Sequence, residues 1–274
     1  GLKADGIVGR ATLGALNAAA DDHVATIIAN MERWRWMPEK LGQFHVQVNV
    51  PNFNLDIYSD GQIVHSTRIV VGKPSNPTPI FSDEIEHVIV NPVWNVPASI
   101  ALKEMLPEIR ANPAALNGYQ VFANVGGRFR AVDPYLIDWH TVDMRKIQIK
   151  QPPGERNALG RVKFMFPNPF SVYLHDTPMK SLFERDYRAY SHGCMRVMDP
   201  WEFADALLAL EPDLNAAKLK KLVGGPERRV DLERHIPVHM TYFTAWVDGD
   251  GALQVRDDLY GIDARLEAAL GLQS

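Results

Sequence analysis

One thiol and two imidazoles crowd the segment YLHDTPMKSLFERDYRAYSHGCMRV, residues 173–197. Cys194 is the single cysteine among 274 residues, which excludes an internal disulfide and any zinc site built on paired cysteines. Three readings stay open for it: an inert buried thiol, one ligand of a mixed metal site, or a nucleophile. A thiol attacks as thiolate, and its ordinary pKa lies near ~8.5, so a nucleophilic Cys194 needs a base. His175 and His192 offer imidazoles that can take its proton. Gly193 has no side chain, so the N–H groups of Gly193 and Cys194 can approach a developing oxyanion closely. Candidate nucleophile, candidate base and permissive backbone thus fall in one short segment.

Other readings of the same residues compete, an inert buried thiol being the default for a lone cysteine. His175 follows an apolar strand and, taken alone, reads as a core histidine. A zinc hydrolase could use His175, His192 and Cys194 with water as fourth ligand, but no carboxylate or further histidine stands at a recognisable fourth position. His235 and His239 have helical metal spacing, yet Pro237 lies between them in a strand-like alternation, so no metal is read there. Papain-like peptidases place the cysteine before the histidine, the reverse of the order here. A net charge of −4 argues against a nucleic-acid partner, and no apolar run approaches the ~20 residues of a membrane span. With 46% apolar and 23% charged residues, the chain can bury a core without staples.

The elements that must hold these groups follow from periodicity. Period-two alternation begins at FHVQVNV, residues 44–50, and continues as two strands around Ser59-Asp60-Gly61. The three-proline loop Lys73–Pro79 and a strand in EHVIVNPVWNVP follow. Further strands are expected in RVKFMF, in FSVYLH ending at His175, and in IPVHMTYFTAWV and ALQVRDD around Asp248-Gly249-Asp250-Gly251. An Asp5-Gly6 turn precedes a helix over 9–16. A second helix over 21–37 carries Val24, Ile27, Ile28 and Met31 at helical spacing. Ser99 can cap a short helix through Met105, and Pro107 can open another turn. Asp199, Pro200 and Glu202 form a capping-box pattern before a helix with Phe203, Ala206, Leu207 and Leu210 on its apolar face. Residues 98–160 read as loop-rich, which inside a compact domain marks a lid. The sum is a mainly β (α+β) chain. It begins at Gly1 without a signal-peptide pattern, so a trimmed fragment is expected.

The pattern H-x15-S-H-G-C-x-R resembles the signature of the L,D-transpeptidase catalytic domain of YkuD type. Val71-Gly72 to Thr78-Pro79, VNPVWNVP at 90–97, GRVKFMFPN at 160–168 and YLHDTP at 173–178 are similar to its large Gram-negative subgroup. The resemblance implies a YkuD-like β-sandwich with flanking helices and an inserted lid subdomain. Residues 1–20 would be the end of a peptidoglycan-binding helical module and 21–43 a helical linker. Residues 44–260 would be the catalytic domain with its lid at about 98–155, and 261–274 a helical tail. It implies Cys194 as nucleophile, His175 as general base, and the Asp176 carbonyl orienting the His175 ring. His192 would line the site, and the Gly193 and Cys194 N–H groups would form much of the oxyanion hole. Tyr173, Ser191, Arg196, Trp139 and Asn168 are its candidates for substrate contact; Arg196 would meet a substrate carboxylate or form a structural ion pair. The implied reaction releases D-Ala from a tetrapeptide stem and passes the acyl group to a diaminopimelate amine, giving 3→3 cross-links. Carbapenems are expected as covalent inhibitors, with no cofactor, no metal and a periplasmic location. The alternatives are a cysteine- or zinc-dependent peptidoglycan peptidase and a catalytically decayed wall-binding protein.

Overall fold

The computed structural model describes residues 8–17 and 23–272. The expected Asp5-Gly6 turn lies outside them. Helix α1 spans Arg10–Asn17 and α2 Val24–Trp36. The stripe Val24, Ile28 and Met31 on α2 faces solvent, and the buried face instead carries Ala29, Asn30 and Arg33. Its polar groups are matched from far along the chain: Asn30 bonds Thr244 and Arg33 pairs with the buried Asp263.

Strands β1 (Phe44–Asn49), β2 (Asn54–Ser59) and β3 (Gln62–Gly72) open the main sheet, with Asp60 and Gly61 both at positive φ in the β2–β3 turn. This is the backbone that a two-residue hairpin requires. β4 spans Phe81–Val90; after an insertion come β9 (Val162–Met165), β10 (Leu174–His175), β11 (Ala189–Ser191), β12 (Met195–Val197) and the long β13 (Arg228–Thr241). The sheet runs β3-β12-β10-β9-β4-β13-β1-β2 and returns to β3. β3 makes the closure by changing partners: Gln62 to Arg68 pair with β2, while Ile69 and Val70 pair with β12. Val71 and Gly72 then pair with β11. The expected sandwich is thus a sheet closed on itself around one core. Val46, Leu55, Ile57, Ile69, Ile85 and Phe164 are among the residues that fill it. α5 (Pro200–Leu207) and α6 (Ala216–Lys220) cover it with Phe203, Leu207 and Leu219. The expected capping box of α5 is not made: Asp199 makes no side-chain cap bond, although Pro200 does start the helix.

The stretch expected to be loop-rich has a regular architecture. A helical run covers Ala98–Ile100 (α3), a π-helical turn Ala101–Met105 and Leu106–Ala111 (α4). Beside it β5 (Trp94–Asn95), β6 (Gln120–Val125), β7 (Arg128–Val132) and β8 (Ile147–Gln151) form a separate four-stranded antiparallel sheet. Ile109, Leu116, Val121, Trp139 and Ile149 give this inserted unit a hydrophobic core of its own. At the C-terminal end, β14 (Ala245–Val247) and β15 (Leu253–Val255) form a small hairpin and α7 (Ile262–Ala269) packs on α2. Among the described residues no helix is long and apolar enough to cross a membrane.

Candidate active site

Alternation along three adjacent strands builds the site. Leu174 pairs with Met195 and Phe164, and all three are buried in the core. Successive side chains point to opposite faces, so their neighbours His175, Arg196 and Lys163 share the other face, His175 pairing with each of the other two. Tyr173 and Cys194, one step before each strand, fall on that same side; the Met195 N–H donates to the Tyr173 carbonyl at 3.1 Å. The Tyr173 and His175 rings meet edge-on at 5.7 Å, and the Lys163 ammonium lies 5.1 Å from the Tyr173 ring centre. Lys163 is a site residue that sequence reasoning missed, although its place in the RVKFMF alternation next to the histidine strand is the signal for it.

His175 is 4% exposed. Its Nδ1 lies 2.5 Å from the Asp176 carbonyl oxygen. A carbonyl only accepts, so the proton resides on Nδ1 and Nε2 keeps the free lone pair, the form a base needs. The carbonyl is held because the Asp176 carboxylate is fixed by three donors. They are the N–H groups of Arg161 at 2.8 Å and Thr177 at 2.7 Å, and the Lys180 ammonium at 2.8 Å. Gly160 makes room for that carboxylate: at its φ of +62°, an added Cβ would lie 2.3 Å from the Asp176 carboxyl. Burial, aided by the Arg196 charge, pushes the imidazole down to about 3. Burial likewise pushes the Cys194 thiol up to about 11, against the hydrogen bonds of Tyr173 and the charges of Lys163 and Arg196. The resting pair is therefore neutral imidazole and neutral thiol near pH 7. Burial and the neighbouring Cys194 raise the Tyr173 phenol too.

The loop carrying the thiol is stapled from within. Ser191 Oγ donates to the Cys194 carbonyl at 2.5 Å and accepts the Gly193 N–H at 3.1 Å. Ser191 thus holds the loop, and the Gly193 N–H, expected in the oxyanion hole, is already engaged. The Cys194 N–H has no acceptor among the described residues. Gly193 sits at φ +114°, a conformation that L side chains rarely adopt. His192 turns away from Cys194 toward the inserted unit. Its Nε2 lies 2.6 Å from Glu104 Oε1 in the π-helical turn and 3.3 Å from Lys73 Nζ, which itself reaches Glu104 at 3.4 Å. Only an N–H on Nε2 fits a carboxylate at 2.6 Å, so His192 donates to Glu104. That bond, with Lys73, holds the Glu104 carboxyl below its ordinary range. Nothing in the sequence pointed to Glu104.

Two expected substrate contacts are placed elsewhere. Trp139 is buried in the inserted unit's own core and donates Nε1–H to the Pro134 carbonyl. Asn168 spends its amide on the backbone of Phe166, Phe170 and Val172, shaping the loop before β10. Arg196 stays half-buried beside Cys194, touching Met179 Sδ at 3.4 Å, with its Nε buried and unpartnered. No carboxylate pairs with it among the described residues, so the structural ion pair is not formed. His175, His192 and Cys194 do not converge as a ligand set. Among the described residues no three His, Cys, Asp or Glu side chains gather as a metal site.

A Haemophilus influenzae protein provisionally named an L,D-transpeptidase is 33% identical over 245 residues, covering 88% of this chain and 48% of that protein. The chain thus spans about half the length of the curated relative it matches. An L,D-transpeptidase from Mycobacterium smegmatis is 15% identical with a TM-score of 0.34, over 73% of this chain and 58% of that one. The Enterococcus faecium catalytic domain, solved acylated by ertapenem, is 15% identical with a TM-score of 0.34, over 73% and 97%. The family model of the YkuD L,D-transpeptidase catalytic domain matches residues 43–226, and with that match the chain belongs to this family.

Proposed function

We propose that the protein is a peptidoglycan L,D-transpeptidase acting through a Cys194 thioester on the outer side of the cytoplasmic membrane, in the periplasm. The observation that carries this reading is the tautomer of His175: Nδ1–H is spent on the Asp176 carbonyl, leaving Nε2 as a base on the sheet face that bears Cys194. In the first half-reaction the Sγ–H proton passes to His175 Nε2 as sulfur attacks the carbonyl of the L,D amide. The tetrahedral oxyanion forms near the Cys194 N–H. Its collapse breaks the C–N bond, and D-Ala leaves with the proton from His175. In the second half-reaction a diaminopimelate amine loses a proton to His175, attacks the thioester and expels the thiolate, which is reprotonated. The product is a 3→3 cross-link.

The neutral resting pair makes proton transfer part of the attack rather than a preceding ionisation. The Arg196 guanidinium, half-buried with no carboxylate partner among the described residues, suits the terminal carboxylate of the donor stem. The inserted unit, tied to the Cys194 loop through Glu104 and His192, would exclude water so that an amine outcompetes hydrolysis. Incubation with a carbapenem should add one drug-derived mass, absent in Cys194→Ala. A tetrapeptide stem with an amine acceptor should release D-Ala and give the amide product. An unchanged mass and no D-Ala release from folded protein would sink the reading; D-Ala release without amide would make it a peptidase.

A further inference from the structure

The three-proline loop and the C-terminal segment meet at the Cys194 loop through a closed chain of hydrogen bonds. Gly72 N–H donates to Thr78 Oγ1 at 2.9 Å, so the Thr78 hydroxyl proton is free to go elsewhere, and it donates to the Gly193 carbonyl at 2.8 Å. The Thr78 N–H donates to the Tyr260 hydroxyl at 3.2 Å, and that hydroxyl donates to the Gly72 carbonyl at 2.6 Å. Every donor in the circuit has one acceptor, and the directions are forced. The loop lies so tightly over Gly72 that a Cβ there would sit 2.2 Å from the Asn76 carbonyl oxygen. Tyr260 is held in turn by Tyr242, whose hydroxyl accepts the Tyr260 N–H at 2.7 Å and donates to Asp258 at 2.7 Å.

The Gly193 carbonyl and the Cys194 N–H are two ends of one planar peptide unit. Fixing the oxygen fixes where the N–H points, and this N–H is the one in the Gly193-Cys194 pair left without an acceptor. We infer that Thr78 and Tyr260 are positioning residues for acyl transfer, aiming the Cys194 N–H at the developing oxyanion by clamping the Gly193 carbonyl. Tyr260 lies beyond the residues 43–226 that match the family model, so the C-terminal segment completes the site from outside that region.

This rests on the cysteine acyl-transfer reading, and the test separates the two. Thr78→Val keeps the shape and removes the hydroxyl; Tyr260→Phe keeps the ring and removes the brace on Thr78; Thr78→Ser restores a hydroxyl. Each is measured twice, by carbapenem acylation at saturating drug and by iodoacetamide alkylation, which forms no oxyanion. Loss of one oxyanion donor costs about 10²–10³ in rate, so a misdirected one should cost about 10- to 100-fold in the acylation step of Thr78→Val. A smaller loss is expected in Tyr260→Phe, most of the rate should return in Thr78→Ser, and alkylation should stay within about threefold throughout. Acylation within about threefold of the parent in both Thr78→Val and Tyr260→Phe overturns the inference, as does a parallel fall of acylation and alkylation. A parent that alkylates but never acylates overturns the acyl-transfer reading itself.

Discussion

His175 and His192 both belong to the segment that carries the Cys194 thiol, and the protein holds them by opposite means. His175 is buried, and its ring rests on a carbonyl whose own carboxylate is locked by Arg161, Thr177 and Lys180. His192 donates to Glu104, which also accepts from Lys73, and the side chains of His192, Glu104 and Lys73 are 30%, 46% and 36% exposed. Charged hydrogen bonds in buried surroundings contribute ~1.5–3 kcal/mol each. Exposed ion pairs contribute ~0.2–1 kcal/mol and weaken with salt. The His175 ring is therefore held chiefly through two backbone N–H groups on a buried carboxylate, with Lys180 itself 49% exposed, whereas the inserted unit is attached by contacts that ionic strength can modulate. On the proposed reading, rigidity is concentrated where the proton would move and compliance lies on the side of the inserted unit.

The largest expected effect probes the buried half. Thiolate is the reactive form, and a thiol pushed up to about 11 is almost wholly neutral at pH 7. Iodoacetamide alkylation of Cys194 should rise about tenfold per pH unit from 7 toward that value. A plateau near pH 8 would show that burial does not govern the thiol. Next in size is Gly160→Ala, which forces a methyl group into the Asp176 carboxyl at a positive φ. It should cost about 2–4 kcal/mol in urea unfolding and lower acylation at temperatures where the fold persists. An unchanged midpoint would mean that the Asp176 brace yields easily, and the contrast between the two histidines would fail. The smallest effect belongs to Glu104→Gln. Acylation should change only a few-fold at low salt and converge with the parent near ~0.5 M salt. Hydrogen exchange across 98–111 should meanwhile quicken. A salt-independent loss above about tenfold would make the His192 side as rigid as the other.

Much of the buried half is legible in the chain. The H-x15-S-H-G-C pattern carries the family resemblance, and the contact of the His175 ring with the Asp176 carbonyl, which that resemblance implied, is present in the structure. Period-two alternation sets Lys163 apart from the core face of its strand, but only the strand register places it beside His175. The exposed half is not legible, because Glu104, Lys73 and His192 are joined by topology rather than spacing. The inserted sheet hid for a related reason. Its edge strand β7, RFRAV, is mostly exposed, and the Phe129 and Ala131 face is not buried. The Gly126-Gly127 hairpin turn, both residues at positive φ, was the available signal. Helix α2 misleads in another way: Asn30 and Arg33 are buried because Thr244 and Asp263, more than two hundred positions away, neutralise them.

The partner exchange along β3 has a consequence for how the molecule comes into being. Its first half finds β2 within a few residues, but its second half must wait for β11 and β12, about 120 positions later, and loop closure over such distances is slow. Gly72, at the end of that strand, joins the circuit through Tyr260 last of all in chain order. A chain halted part-way through folding thus carries the thiol but neither the closed ring nor the aimed amide. If the clamp works as inferred, chemical competence would arrive only with these final long-range contacts.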